Sequence, residues 1–254
     1  MSTAVVLLHS PLFTAAQWGG LPGDLRALGA HVTVPEITDD DRPPYAARYI
    51  ARASLEIAEH APGGPLLLVA AGAAGPLLPG IGAARRAAHR PPAGYVLIDA
   101  LLPQPGAATR EALHAAQAAP HAPSAPADAA VPAPGHPAGA AATAPRPRPA
   151  GFYTEQLPSV ADWPDAPCGY LYAGVYGSDG GPAAGRDRCC SAPEPSPGWP
   201  AERGGEVGAG GAPYGPGGER GARLAALRGW PVEHAPGATG ADLARALLGL
   251  ASRM

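Results

Sequence analysis

The chain has 254 residues, with 18 basic and 21 acidic side chains and a net charge of −3, and every basic residue is arginine. Charged residues make up only 15 % of it, with no basic stripe and no interleaving of arginine with aromatics, which excludes the electrostatic footprint of a nucleic-acid binder. No apolar run free of Gly, Pro and charge reaches the roughly 18 residues of a membrane span, and at 254 residues one α/β domain with a full core fits, or at most two small ones.

Read from the N-terminus, AVVLL at 4–8 is a short continuous apolar run of the kind a strand buried on both faces needs. The opening MSTAVVLLHSP lacks a basic leader and reads as a first strand, not a signal peptide, so the expected location is the cytoplasm. A helix is predicted over 15–28, with Trp18, Leu21, Leu25 and Leu28 on its apolar side and Gly29 as its stop. HVTVP at 31–35 is a second strand, and 43–61 a helix marked by Tyr45, Tyr49, Ile50, Leu55 and Ile57. Strand 66–69 leads into a turn of Gly and Ala, then into a helix over 76–89 that opens on proline. YVLI at 95–98 is the fourth strand, closing at Asp99. Four strand–helix alternations predict a parallel sheet with helices on both faces.

The pattern then loosens. A helix is predicted over 109–117, but 118–150 is rich in Ala, Pro and His without periodicity, and reads as a lid-like segment. GYLYAGV at 169–175 is a fifth strand. Residues 177–221 are Gly/Pro-rich, with too little apolar surface to offset chain entropy. A low-complexity insertion and an altered reading frame both fit that stretch. A helix at 222–227, a strand at 230–233 and a helix at 241–253, with Leu243, Leu247, Leu248 and Leu250 inward, complete the chain.

Three cysteines, Cys168, Cys189 and Cys190, make no disulfide framework, and no metal spacing joins them to histidine. The adjacent Cys189 and Cys190 read as a reduced pair, a strained vicinal disulfide being the alternative. Neither they nor His114, His121 and His136 form a recognisable catalytic or metal set. Neither a metal nor a cofactor is expected, and the sequence sets no oligomeric state.

The stretch 65–79, PLLLVAAGAAGPLLP, has the strand–turn–helix outline that mounts a nucleophilic serine, but its apex is Gly72. Together with YVLIDALLPQPG and with the WPDAPCGYLYAG and GWPVEHAPG segments, it resembles the α/β-hydrolase family in the form common in high-GC bacteria. The resemblance covers 1–106, 151–176 and 222–254. It implies an α/β-hydrolase-like single domain over 1–254, with the segments 118–150 and 177–221 in place of the lid. It also implies a pocket around His9, Leu12, Phe13, Gly72 and Ala73, where the N–H of Leu12 or Phe13 would serve an oxyanion. The family's G-x-S-x-G aligns with Ala70, Gly72 and Ala74, so glycine stands where the serine belongs. The family's histidine position falls in the loop 235–240, APGATG, which has none; His234 lies several residues early. Asp99 or Asp179 aligns with the acid.

Other roles remain open on the residues alone. Ser10 is a candidate replacement nucleophile with His9 as base, though neighbours in an extended segment point apart, and loop capping is the plainer role. Asp99 is a candidate acid or ligand anchor, against capping of nearby N–H groups. The leading expectation is a hydrolase-like protein impaired in hydrolysis that binds a small apolar molecule. The alternatives are a non-hydrolytic cyclase or lyase on the same fold, and a weak ester hydrolase with a relocated nucleophile.

Overall fold

The computed structural model describes residues 4–61, 63–104, 108–118, 145–174 and 217–254. In chain order these form β1 (Ala4–Leu8), α1 (Leu21–Ala27), β2 (His31–Thr33), α2 (Tyr45–His60), β3 (Leu66–Ala71) and α3 (Leu78–Ala87). They continue as β4 (Gly94–Ile98), α4 (Arg110–Ala118), α5 (Ala150–Thr154), β5 (Cys168–Tyr172), α6 (Gly217–Leu227), β6 (Val232–His234) and α7 (Gly240–Ala251). The strands pair in parallel in the order β2-β1-β3-β4-β5-β6. The α/β architecture with a parallel, helix-flanked sheet expected from the sequence is therefore the one found.

The apolar runs are continuous because each central strand feeds two cores. Val6 and Leu8 of β1, Leu68 and Ala70 of β3, and Tyr95 and Leu97 of β4 pack with α2, α3 and α6 on one face. Val5 and Leu7, Val69 and Ala71, and Val96 and Ile98 pack with α1 and α7 on the other. Successive side chains point to opposite faces, so a strand covered on both sides must be apolar at every position. The chain leaves β1 toward β2, then returns across β1 to β3 and runs outward through β4, β5 and β6. This reversal puts the topological switch point, the place where open α/β sheets form their ligand crevice, at the carboxyl ends of β1 and β3.

Four local expectations are corrected. The helix predicted over 15–28 is split into a 3₁₀ turn at Ala15–Trp18 and α1, because Gly19 takes a positive φ of 51°. Leu28 then falls at the end of α1 and is exposed. Leu55 is exposed as well; the buried stripe of α2 is Tyr45, Tyr49, Ala53 and Ile57, four residues apart, and Leu55 lies off it. Finally, 217–221 is not low-complexity chain but the first part of α6. A Cβ at Gly221 would lie 2.2 Å from the hydroxyl oxygen of the fully buried Tyr170, and one at Gly218 would lie 2.8 Å from Asp99 Oδ1. These glycines let α6 approach β5 closely. The rest of the two segments, 119–144 and 175–216, lies outside the described residues, as do Asp179, Cys189, Cys190, His121 and His136.

Residues 145–155 are pinned across the loop that follows β1. Asp40, 1 % exposed, accepts from Arg146 Nη1 at 3.2 Å and from Arg148 Nη2 at 2.6 Å. Arg148 Nε also donates to the Pro11 carbonyl at 3.1 Å, and the Arg146 N–H to the Leu12 carbonyl at 2.6 Å. Phe152 lies between two guanidinium groups, with Arg110 4.0 Å and Arg148 5.0 Å from its ring centre. Glu155 ends this clasp by accepting from the Ala46 N–H in the first turn of α2 and from Arg110. A negative side chain there also complements the helix dipole.

Among the described residues no helix is long and apolar enough to cross a membrane. Two stability measurements test these contacts. Gly221→Ala should lose at least about 1 kcal/mol in urea unfolding, because overpacking outweighs the gain in helix propensity; a stabilised variant would contradict the close approach. Asp40→Ala should lose about 3–5 kcal/mol, the cost of leaving a buried charge unpaired, and a loss under about 1 kcal/mol would show that the clasp carries little.

Candidate functional site

This switch point is walled by the residues that follow β1 and β3. After β3 the chain turns at Gly72, whose φ is +53°, and passes through a 3₁₀ stretch, Gly72–Leu77, into α3. Only glycine takes that backbone without cost. The turn is held from behind, since the Gly72 carbonyl accepts from the Leu101 N–H at 3.1 Å. Gly75 passes so close to the same loop that a Cβ would lie 2.1 Å from the Leu101 carbonyl oxygen. The family motif aligns its last glycine with Ala74, whereas the position that needs glycine is Gly75. The near-symmetrical AAGAAG offered no signal to separate them.

His9 and Ser10 form the opposite wall, both buried. His9 Nδ1 donates to the Ser10 carbonyl at 2.9 Å, and Nε2 accepts the Ile37 N–H at 3.1 Å. This pairing calls for a neutral ring with the proton on Nδ1. Burial lowers the His9 pKa, opposed by the Ser10 carbonyl and the Glu36 and Asp40 carboxylates. The Tyr49 hydroxyl donates to the His9 carbonyl at 2.5 Å. Ser10 Oγ accepts the Leu12 N–H at 3.2 Å, the Ser10 carbonyl accepts the Phe13 N–H at 2.9 Å, and the Ser10 N–H donates to Gln17 Oε1 at 2.8 Å. The N–H groups of Leu12 and Phe13 are thus both bonded within their own turn. Side chains of Leu12 and Phe13 pack with Ala73, Tyr45 and Phe152 in a small apolar cluster beside the turn at Gly72.

Asp99 ends β4 with a φ of +45°, in the left-handed region that Asp tolerates better than most residues. Its carboxylate is buried and accepts the Ala173 N–H, just beyond β5, at 3.0 Å. Gly218, in the first turn of α6, packs against the same oxygen. His234 lies two strands away at the end of β6, exposed, its ring edge-on to Tyr172 at 5.9 Å. The following loop folds onto β5 through Ala235 N–H to the Tyr172 carbonyl and Gly237 N–H to the Ala173 carbonyl. The fold therefore brings Gly72, Ala73, His9, Ser10, Leu12 and Phe13 to the carboxyl ends of β1 and β3 and sets Asp99 at the same end of the sheet. His114 belongs to α4, and Cys168 starts β5 at the opposite end of the sheet; burial, with Asp165 nearby, pushes the Cys168 thiol up to about 12. Among the described residues no group of three or more His, Cys, Asp or Glu could hold a metal.

Sequence reasoning missed the clasp of Asp40, Arg146 and Arg148. Its arginines sit in a Pro-rich stretch whose composition gives no periodic signal, and pairing across more than 100 residues leaves no local trace.

No family model matches the chain, and no curated protein matches it. Solved structures do. A tomato methylketone synthase I variant complexed with β-ketoheptanoate aligns over 100 % of this chain and 99 % of its own, at 13 % identity and a TM-score of 0.56. An extracellular α/β-hydrolase from a Paenibacillus species aligns over 67 % of this chain and 77 % of its own, at 18 % identity and a TM-score of 0.47. A mutant of polyneuridine aldehyde esterase aligns over 69 % and 81 %, at 16 % identity and 0.44. With the parallel sheet and the left-handed turn after β3, the full-length likeness to the methylketone synthase shows that the fold of the chain is α/β-hydrolase-like.

Proposed function

We propose that this protein keeps the scaffold of an α/β-hydrolase without its serine chemistry, and that it does not turn over esters. The observation that supports this is the turn at Gly72. It has the positive φ and the strand-to-helix position of a nucleophile elbow, and its residue has no side chain to attack a carbonyl. The loop 235–240, where the family carries its histidine, has none. An apolar ligand would lie against the apolar cluster of Leu12, Phe13 and Ala73. We place the protein in the cytoplasm, in keeping with its lack of a disulfide framework.

A non-hydrolytic cyclase or lyase is the second reading. The full-length likeness to a methylketone synthase favours it, since that neighbour is named for a synthesis on the same fold. Asp99 would then be the polar handle of the pocket, and its buried carboxylate at the sheet's carboxyl end suits that role. The relocated-nucleophile alternative is disfavoured, because Ser10 is buried and its Oγ holds the Leu12 N–H.

Purified protein assayed with p-nitrophenyl acetate and butyrate should show a kcat below about 0.01 s⁻¹, a thousandfold under the enzymatic median of about 10 s⁻¹. A kcat above that value, without contaminating esterase, would overturn the proposal. Gly72→Ser should cost about 1–2 kcal/mol in urea unfolding, the strain of a side chain in the left-handed region; an unchanged or higher stability would contradict the turn geometry on which the proposal rests.

A further inference from the structure

A cleft of about 420 Å³ lies on the face of the sheet covered by α3, α4 and α6, away from the crevice. None of His9, Ser10, Gly72, Ala73 and Asp99 lines it. Its volume falls in the roughly 300–1,000 Å³ range of small-molecule sites. The walls are built by Leu113, Leu157, Val160 and prolines from three segments, Pro76 and Pro79, Pro103, and Pro158 and Pro164. Proline has no N–H to leave unsatisfied and a fixed φ, so these walls are apolar and rigid.

One end of the cleft is an aromatic corner. Trp163 and Trp230 meet edge to face, 5.6 Å apart at 84°. Trp230 is turned into place by the end of α6: Gly229, with φ +74°, lets the Gly229 N–H reach the Ala226 carbonyl and the Trp230 N–H reach the Ala225 carbonyl. That is a Schellman-type stop, which folds the following residue back on its helix. Arg228 lies over the Trp230 ring at 5.2 Å and donates one N–H to the Pro103 carbonyl at 2.8 Å. It is exposed, and it is the one charged side chain among the residues lining the cleft. The indole N–H of Trp163 is buried without a hydrogen-bond partner. An acceptor that reached it after a small turn of the ring would recover a bond that the cleft walls leave unmade.

We infer that this cleft is a second ligand site, separate from the crevice, for a small flat aromatic monoanion such as an arene carboxylate. The ring would stack in the Trp163–Trp230 corner, and the carboxylate would take the outward N–H groups of Arg228. An uncharged aromatic would gain only the stacking, and a cation would meet Arg228 unfavourably. Guanidinium–carboxylate pairing is the strong, planar form of charge-assisted hydrogen bond.

The test uses the full chain, 2-naphthoate as probe, and the four indole N–H resonances followed by NMR, assigned with Trp163→Phe, Trp199→Phe and Trp230→Phe. The signals of Trp163 and Trp230 should move with saturable dependence on 2-naphthoate, while that of Trp18, buried on the opposite face of the sheet, stays still. Arg228→Gln, an exposed substitution, should weaken binding at least tenfold, and 2-naphthol should bind at least tenfold more weakly than 2-naphthoate. No movement up to 5 mM probe, equal movement of Trp18, or equal affinity in Arg228→Gln would overturn the inference. Because no crevice residue takes part, these outcomes are independent of the ester assay.

Discussion

The geometry of the site depends on the passage from β3 into α3, and that passage needs glycine twice for different reasons. At Gly72 the backbone enters the left-handed region, where any side chain costs about 1–2 kcal/mol. At Gly75 the backbone is ordinary but the space is gone, because the Leu101 carbonyl sits where a Cβ would be. The loop after β4 closes the arrangement through the bond from the Leu101 N–H to the Gly72 carbonyl. In a working serine hydrolase the strain at the apex is kept because catalysis needs the exposed side chain. Here glycine takes the left-handed backbone without that strain, and in the function proposed above it also takes the nucleophile's place.

The polar groups around the crevice are committed to holding it. His9 has both ring nitrogens occupied, Ser10 uses its N–H, carbonyl and Oγ, and Asp99 ties β4 to the end of β5. A buried polar group left unpaired costs about 1–3 kcal/mol, which is reason enough for each pairing. The clasp from Asp40 to Arg148 works at the same level: it fixes Phe152 over the apolar cluster and secures the loop after β1 through carbonyls of Pro11 and Leu12.

Much of the scaffold was legible in the sequence. AVVLL, LLLVAA and YVLI are uninterrupted because both of their faces are buried, and that pattern by itself predicts a parallel sheet. The apex at Gly72 was legible for the same reason, as the one small-residue turn between an apolar strand and an apolar helix. Composition misled at Gly218 and Gly221. Glycine in a Gly/Pro-rich stretch looks like chain that will not order, yet each is required where α6 meets Asp99, Tyr172 and Tyr170. Leu55 misled in the opposite direction: an apolar residue counts as core only when it shares the stripe of Tyr45, Tyr49, Ala53 and Ile57. Contacts such as Asp40 with Arg148 join residues far apart in the chain, and no local pattern encodes them.

The proposed function has the turn at Gly72 keep the elbow geometry without the elbow's reactivity. Intact-mass spectrometry after treatment with an excess of a fluorophosphonate tests it most directly, since that reagent reports an activated serine whatever the natural substrate. The expected spectrum is unchanged from that of the untreated protein under conditions that label a control serine hydrolase completely. A stoichiometric adduct that peptide mapping places on Ser10, or on any other serine of this chain, would contradict it.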